Sequence, residues 1–161
     1  MNDKKPVENK VVEALIEKGW HISFAESCTG GLAAGRLVNV PDASRVFDLG
    51  FVTYSNEMKT EFLGVEESLI DEYGVVSEPA ALAMARGCAQ KAGAQIGVGI
   101  SGIAGPSGAV PGKPVGTVCF GFKTEDKEVS YTRYFGDIGR NTVREKSVEF
   151  VFETLVKILE Q

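Results

Sequence analysis

Apolar residues along the chain switch between helical and strand spacing, and the switches mark out its elements. Pro6 suits the first turn of a helix whose apolar face is Val7, Val11, Val12 and Leu15, with Gly19 placed to end it. The run from Trp20 to Ala25 reads as a strand, followed abruptly by Glu26-Ser27-Cys28-Thr29-Gly30-Gly31 and then by helical spacing over Leu32 to Val38. Pro41 and Asp42 break the chain, and Gly50 to Ser55 reads as a second strand, with Lys59 in a turn or short helix beyond it. Ser77 is a good N-cap for a helix running to Lys91 and ending near Gly93. Ile96 to Ile100 is a third strand, and Ser107 to Pro114 reads as a mobile loop. Val115 to Phe122 and Val129 to Phe135 make two more strands, joined by a charged hairpin at Glu125, Asp126 and Lys127. Asn141 is placed to cap a last helix with Val148, Val151, Phe152, Leu155, Ile158 and Leu159 as its stripe. Strand–helix alternation that gives way to a hairpin predicts one α/β domain over residues 1–161: a three-layer α/β/α sandwich around a mixed, mostly parallel sheet.

Composition narrows the functional classes. With 161 residues the chain can build one sizeable core but not two ordinary domains. The net charge of −5 and the scattered basic residues argue against nucleic acid as a partner. Neither a signal peptide nor a membrane-spanning run is visible, and three widely spaced cysteines, Cys28, Cys88 and Cys119, suit reduced thiols. The expectation is a cytoplasmic protein. One histidine and no paired-cysteine motif leave no zinc set, and no motif calls for a cofactor.

Ligands of such sheets bind beyond the carboxyl ends of the strands. Three segments compete for that place: Glu26 to Gly31, Tyr54 to Lys59, and Ser101 to Pro106. A serine on a sharp strand-to-helix turn presents its Oγ, and free amides beyond it can hold an oxyanion. The alternative is that Ser27 and Thr29 only cap a helix while Gly30 and Gly31 permit close packing. As a nucleophile Ser27 needs a base. His21 is six residues upstream on the same strand, roughly 20 Å away at strand rise, which excludes a Ser-His pair. Lys59 with Tyr54, or Lys113, can supply one if burial neutralises the amine. Cys28 is a rival nucleophile, more simply read as a small buried hydrophobe. Gly97, Gly99 and Gly102 fit G-x-G-x-x-G, but no helix opens after them, so a dinucleotide site is rejected, and no phosphate-binding P-loop occurs.

Ala25-Glu26-Ser27-Cys28-Thr29-Gly30-Gly31, Gly50-Phe51-Val52-Thr53-Tyr54-Ser55-Asn56 with Lys59, Gly74-Val75-Val76-Ser77-Glu78, Ser101-Gly102-Ile103-Ala104-Gly105-Pro106 and Lys113-Pro114-Val115-Gly116-Thr117-Val118 occur in that order. Together they resemble the CinA C-terminal domain family, the nicotinamide-nucleotide amidases, over nearly the whole chain. The resemblance implies a three-layer α/β/α fold and hydrolysis of nicotinamide mononucleotide to nicotinic acid mononucleotide and ammonia, a step of pyridine nucleotide salvage. It implies Ser27 as nucleophile, Lys59 as base and Tyr54 as a third member that relays or positions the proton, with neither metal nor cofactor. Amides at Thr29 and Gly30, beside Gly31, are expected to hold the oxyanion. Ser101, Gly102 and Gly105 are expected to line the substrate, and Arg140 and Arg144 to hold its phosphate. Some relatives carry a further N-terminal domain similar to molybdopterin-binding proteins, so the expected form is the stand-alone one. Pro41-Asp42 replaces the family's Pro-Gly, Ser101 replaces a frequent threonine, and the loop from Ser107 to Gly112 diverges. The other function class is a catalytically silent nucleotide-binding or protein-interaction domain with the same pocket. A small nucleotide is the expected partner, and self-association stays open.

Overall fold

A computed structural model of the chain describes residues 5–161. The elements are α1 (Val7–Lys18), β1 (Ile22–Glu26), α2 (Leu32–Val38), β2 (Phe51–Val52), α3 (Asn56–Leu63), α4 (Glu67–Tyr73), α5 (Glu78–Ala92), β3 (Ile96–Gly102), β4 (Thr117–Lys123), β5 (Glu128–Tyr134) and α6 (Arg140–Leu159). Pro6 is the N-cap of α1, not part of its first turn, and Gly19 closes that helix in the left-handed conformation. Ser77 caps α5 as expected, its Oγ accepting the Ala80 N–H at 3.2 Å. Asn141 does not cap α6: the helix opens at Arg140 after Gly139, and the Asn141 Oδ1 accepts from Arg144 instead. Within the segment from Ser107 to Pro114 a local turn is closed by paired backbone hydrogen bonds between Val110 and Lys113, of 2.9 and 3.1 Å.

The five strands run in the order β2-β1-β3-β4-β5. β1 lies parallel to β2 on one side and to β3 on the other, whereas β3–β4 and β4–β5 are antiparallel. The sheet is therefore mixed but evenly divided, not mostly parallel. The reason lies in the connections: helices carry the chain between the first three strands, whereas a loop turns β3 back into β4 and a tight turn joins β4 to β5.

Strand alternation separates two unlike faces. Ile22, Phe24, Ile96, Val98, Ile100, Val118, Phe120 and Phe122 fill one face beneath α1, α2 and α6. The residues between them are small, with Ala25, Gly97, Gly99 and Gly121 turned toward α5. A Cβ at Gly97 would lie 2.0 Å from the Ala85 carbonyl oxygen, and one at Gly99 2.1 Å from that of Ala81. The alanine-rich buried side of α5 can then press its backbone against the sheet. Two of the three glycines of the G-x-G-x-x-G match thus serve helix-to-sheet packing.

Candidate active site

The chain passes from β1 to β2 through α2 on one face, then to β3 on the other side of β1 through α5 on the opposite face. Connections that leave in opposite directions open a crevice at the carboxyl end of the strand between them, and β1, flanked by β2 and β3, is that strand. Ser27 is the first residue beyond it. Its N–H donates to the Ile100 carbonyl at 3.1 Å, extending the β1–β3 ladder by one residue. The Thr53 N–H donates to the Glu26 carbonyl at 3.0 Å and extends the other side. The turn beyond is thus anchored on both flanks.

Within the turn, the Gly30 N–H donates to the Ser27 carbonyl at 3.0 Å, and Gly30 and Gly31 have φ of 55° and 101°. At such angles a side chain is strained, so the glycines are required by conformation. The helix start is capped neither by Ser27 nor by Thr29. The buried Glu26 carboxylate reaches forward to accept from Ala33 N–H at 2.9 Å, Ala34 N–H at 3.1 Å and Thr29 Oγ1 at 2.7 Å. Sequence reasoning missed this role, because an acidic residue at the end of a strand is not an ordinary cap position. Ser27 Oγ is left free for the crevice.

Lys59 arrives from α3. The Ser55 side chain caps that helix by accepting the Met58 N–H at 3.2 Å, which starts α3 immediately after β2. Helical side chains point toward the N-terminus, so Lys59 reaches back over its own first turn. Its Nζ lies 2.7 Å from the Thr53 carbonyl, 3.4 Å from the Tyr54 carbonyl and 3.2 Å from Ser27 Oγ. The residue is only 1% exposed, and desolvation holds its pKa below the usual lysine range. Cys28 beside it is pushed up to about 12 by burial, so its thiol stays protonated.

Ser27, Cys28, Tyr54, Asn56, Lys59, Val75, Val76, Ser101, Gly102, Ala104 and Arg140 line one cavity of about 200 Å³. Ser101 is buried and donates to the Val75 carbonyl at 2.8 Å. Arg140 donates to the Gly105 carbonyl at 2.8 Å and to the Tyr54 hydroxyl at 2.9 Å across the mouth. Tyr54 is 62% exposed, so it meets Lys59 through its carbonyl while its hydroxyl engages Arg140. Among the described residues no hydrogen bond joins the Tyr54 hydroxyl to Lys59 or Ser27. Arg144 is not among the lining residues: its guanidinium turns to the carbonyls of Cys28 and Thr29. Lys113 donates to the Tyr73 carbonyl at 2.7 Å and is outside the cavity lining that Lys59 joins. His21 is at the opposite end of β1, 2.5 Å from Asp48. Among the described residues no group of three or more His, Cys, Asp or Glu side chains is placed to hold a metal, and no helix is long and apolar enough to cross a membrane.

The sequence and the fold have close counterparts. A sequence model of the CinA C-terminal domain matches residues 4–159. The nicotinamide-nucleotide amidohydrolase PncC of Enterobacter agglomerans is 47% identical over 146 residues, covering 89% of this chain and 88% of the relative. A CinA-like protein of Thermotoga neapolitana is 45% identical over 161 residues, which span 39% of its length. Three other relatives, from Symbiobacterium thermophilum, Syntrophobacter fumaroxidans and Caldicellulosiruptor saccharolyticus, are likewise longer, and the matched parts span 28%, 36% and 38% of their lengths. Among solved structures, the competence/damage inducible protein CihA of Agrobacterium tumefaciens superposes with a TM-score of 0.89 at 37% identity over 100% of both chains. The competence damage-inducible protein A of Klebsiella pneumoniae gives 0.92 at 34% identity over 96% of each.

Proposed function

The chain belongs to the CinA C-terminal domain family, and from that premise we propose that it hydrolyses the carboxamide of nicotinamide mononucleotide, giving nicotinic acid mononucleotide and ammonia. The observation that carries the reading is the buried Lys59 amine 3.2 Å from Ser27 Oγ at the crevice of the sheet. A neutral amine has two N–H bonds and one lone pair. With both N–H groups on the carbonyls of Thr53 and Tyr54, the lone pair is left facing the Ser27 hydroxyl. That arrangement suits a general base for serine, with burial favouring the neutral form the role requires.

Ser27 Oγ attacks the carboxamide carbon as its proton passes to Lys59 Nζ. The tetrahedral oxyanion meets the amides of Cys28 and Thr29, neither of which donates to a backbone carbonyl among the described residues of the turn. Gly30, expected to share that task, has its N–H engaged by the Ser27 carbonyl. Lysine then returns the proton to the departing nitrogen, releasing ammonia. Water, deprotonated by the same amine, resolves the acyl-enzyme and regenerates Ser27. Tyr54 positions Lys59 through its carbonyl, and Arg140, at the cavity mouth, is the cation that meets the substrate phosphate.

Ammonia release from nicotinamide mononucleotide tests the reading. The wild type and Cys28→Ala release it, whereas Ser27→Ala loses activity by at least a thousandfold with its melting temperature unchanged. Full activity of Ser27→Ala, or loss confined to Cys28→Ala, overturns the serine assignment. A wild type that binds the nucleotide without releasing ammonia is a silent binding domain.

A further inference from the structure

We infer that Arg144 is a positioning residue for the nucleophile turn, setting the Thr29 oxyanion donor from behind through its own peptide group; this rests on the Ser27 reading above. Arg144 lies one helical turn beyond Arg140 on α6, yet it serves a different structure. Its Nε donates to the Cys28 carbonyl at 2.8 Å, its Nη2 to the Thr29 carbonyl at 3.3 Å and its Nη1 to Asn141 Oδ1 at 3.1 Å. All three guanidinium nitrogens are engaged, two of them with the backbone that follows the nucleophile.

A peptide group is planar and trans, so its C=O and N–H point in opposite directions. The carbonyl of Cys28 belongs to the same peptide as the N–H of Thr29. A cation on that oxygen fixes the direction of the N–H and draws electron density away from it, strengthening it as a donor. The Thr29 carbonyl is held twice, by Arg144 and by the Leu32 N–H at 3.0 Å, so the following Gly30 peptide is fixed as well. From the other side, Glu26 grips the turn through Thr29 Oγ1 and the first amides of α2. The turn is therefore held between a carboxylate and a guanidinium. Gly30 fits the same account, since a Cβ there would lie 3.2 Å from Arg144 Nη2.

The prediction separates positioning from substrate binding. Arg144→Ala lowers kcat for nicotinamide mononucleotide ten- to a hundredfold and changes KM less than twofold. Arg144→Lys, which keeps a charge but can hold only one carbonyl well, falls between. A second reading uses phosphonylation of Ser27 by a small uncharged fluorophosphonate, which carries no phosphate anchor. That rate falls in both variants in parallel with kcat, at an unchanged ionisation in its pH profile. A rise in KM at constant kcat, with phosphonylation unaffected, makes Arg144 a substrate anchor and overturns the inference, as does wild-type behaviour in both assays. If Arg144→Ala does not fold, Arg144→Lys decides on the same criteria. A wild type that is phosphonylated but releases no ammonia defeats the proposed substrate while leaving the role of Arg144 to the phosphonylation rates.

Discussion

At Lys59 two demands meet in one side chain. A lysine works as a base only when neutral, and burial moves its pKa in the required direction by penalising the charged form. The active species is the deprotonated one, so kcat/KM rises with pH and levels off above a single ionisation. That ionisation lies below the free-lysine value of about 10.4. A rate independent of pH below 10, or one that falls as pH rises through the same range, contradicts the role. Lys59→Arg keeps a cation that does not deprotonate in this range, so its loss of activity should match that of Lys59→Ala. Turnover of Lys59→Arg near the wild-type rate would make position 59 an electrostatic anchor and nothing more. The lysine was legible as a candidate from its place beyond a strand. Its advantage over Lys113 was not, because only the folded chain shows one amine on Ser27 and the other on the Tyr73 carbonyl.

Among the elements, the closest approach is that of α5 to the sheet, and it depends on glycine at named positions. Gly99→Ala places a Cβ 2.1 Å from the Ala81 carbonyl oxygen and 2.9 Å from the Ala85 nitrogen, both backbone atoms that cannot swing aside. The helix must shift, at a cost of about 1–3 kcal/mol. Gly35 in α2 is the control: an added Cβ there meets nothing within 4 Å. Gly35→Ala should stabilise by about 0.5–1 kcal/mol through helix propensity. Denaturant midpoints for the two variants should therefore move in opposite directions, and a shared sign would refute this account of the packing. Helix α4 was absent from the pattern reading because Glu67–Tyr73 is short and none of its residues is buried, so no apolar stripe announces it. The two-residue β2 was read too long, because Gly50 to Ser55 has strand composition whether or not it is paired.

Over the whole molecule, the layer of α1, α2 and α6 is joined at Arg36. Its Nε donates to Glu8 of α1 at 3.2 Å and its Nη1 to Glu149 of α6 at 2.8 Å, while the guanidinium lies 5.3 Å from the Phe152 ring. Arg36→Ala should cost about 1–2 kcal/mol, combining partly exposed ion pairs with lost packing over the ring. A chain of this size then melts a few degrees lower, by about 2–4 °C per kcal/mol. An unchanged melting temperature would show that the three helices hold without this junction. The sequence by itself determined the order of the elements apart from α4, and the strand–turn–helix at Ser27, because period, glycine and cap chemistry are local properties of the chain. It also disqualified His21, since one strand cannot bring its two ends together. Only the tertiary structure decided which lysine meets Ser27, that Glu26 caps α2, that the Tyr54 hydroxyl belongs to Arg140, and that Arg144 faces the turn and not the cavity. Those partners are separated by between 7 and 116 positions. Their meeting depends on strand order and on which face each helix covers, and neither is a property of any one segment.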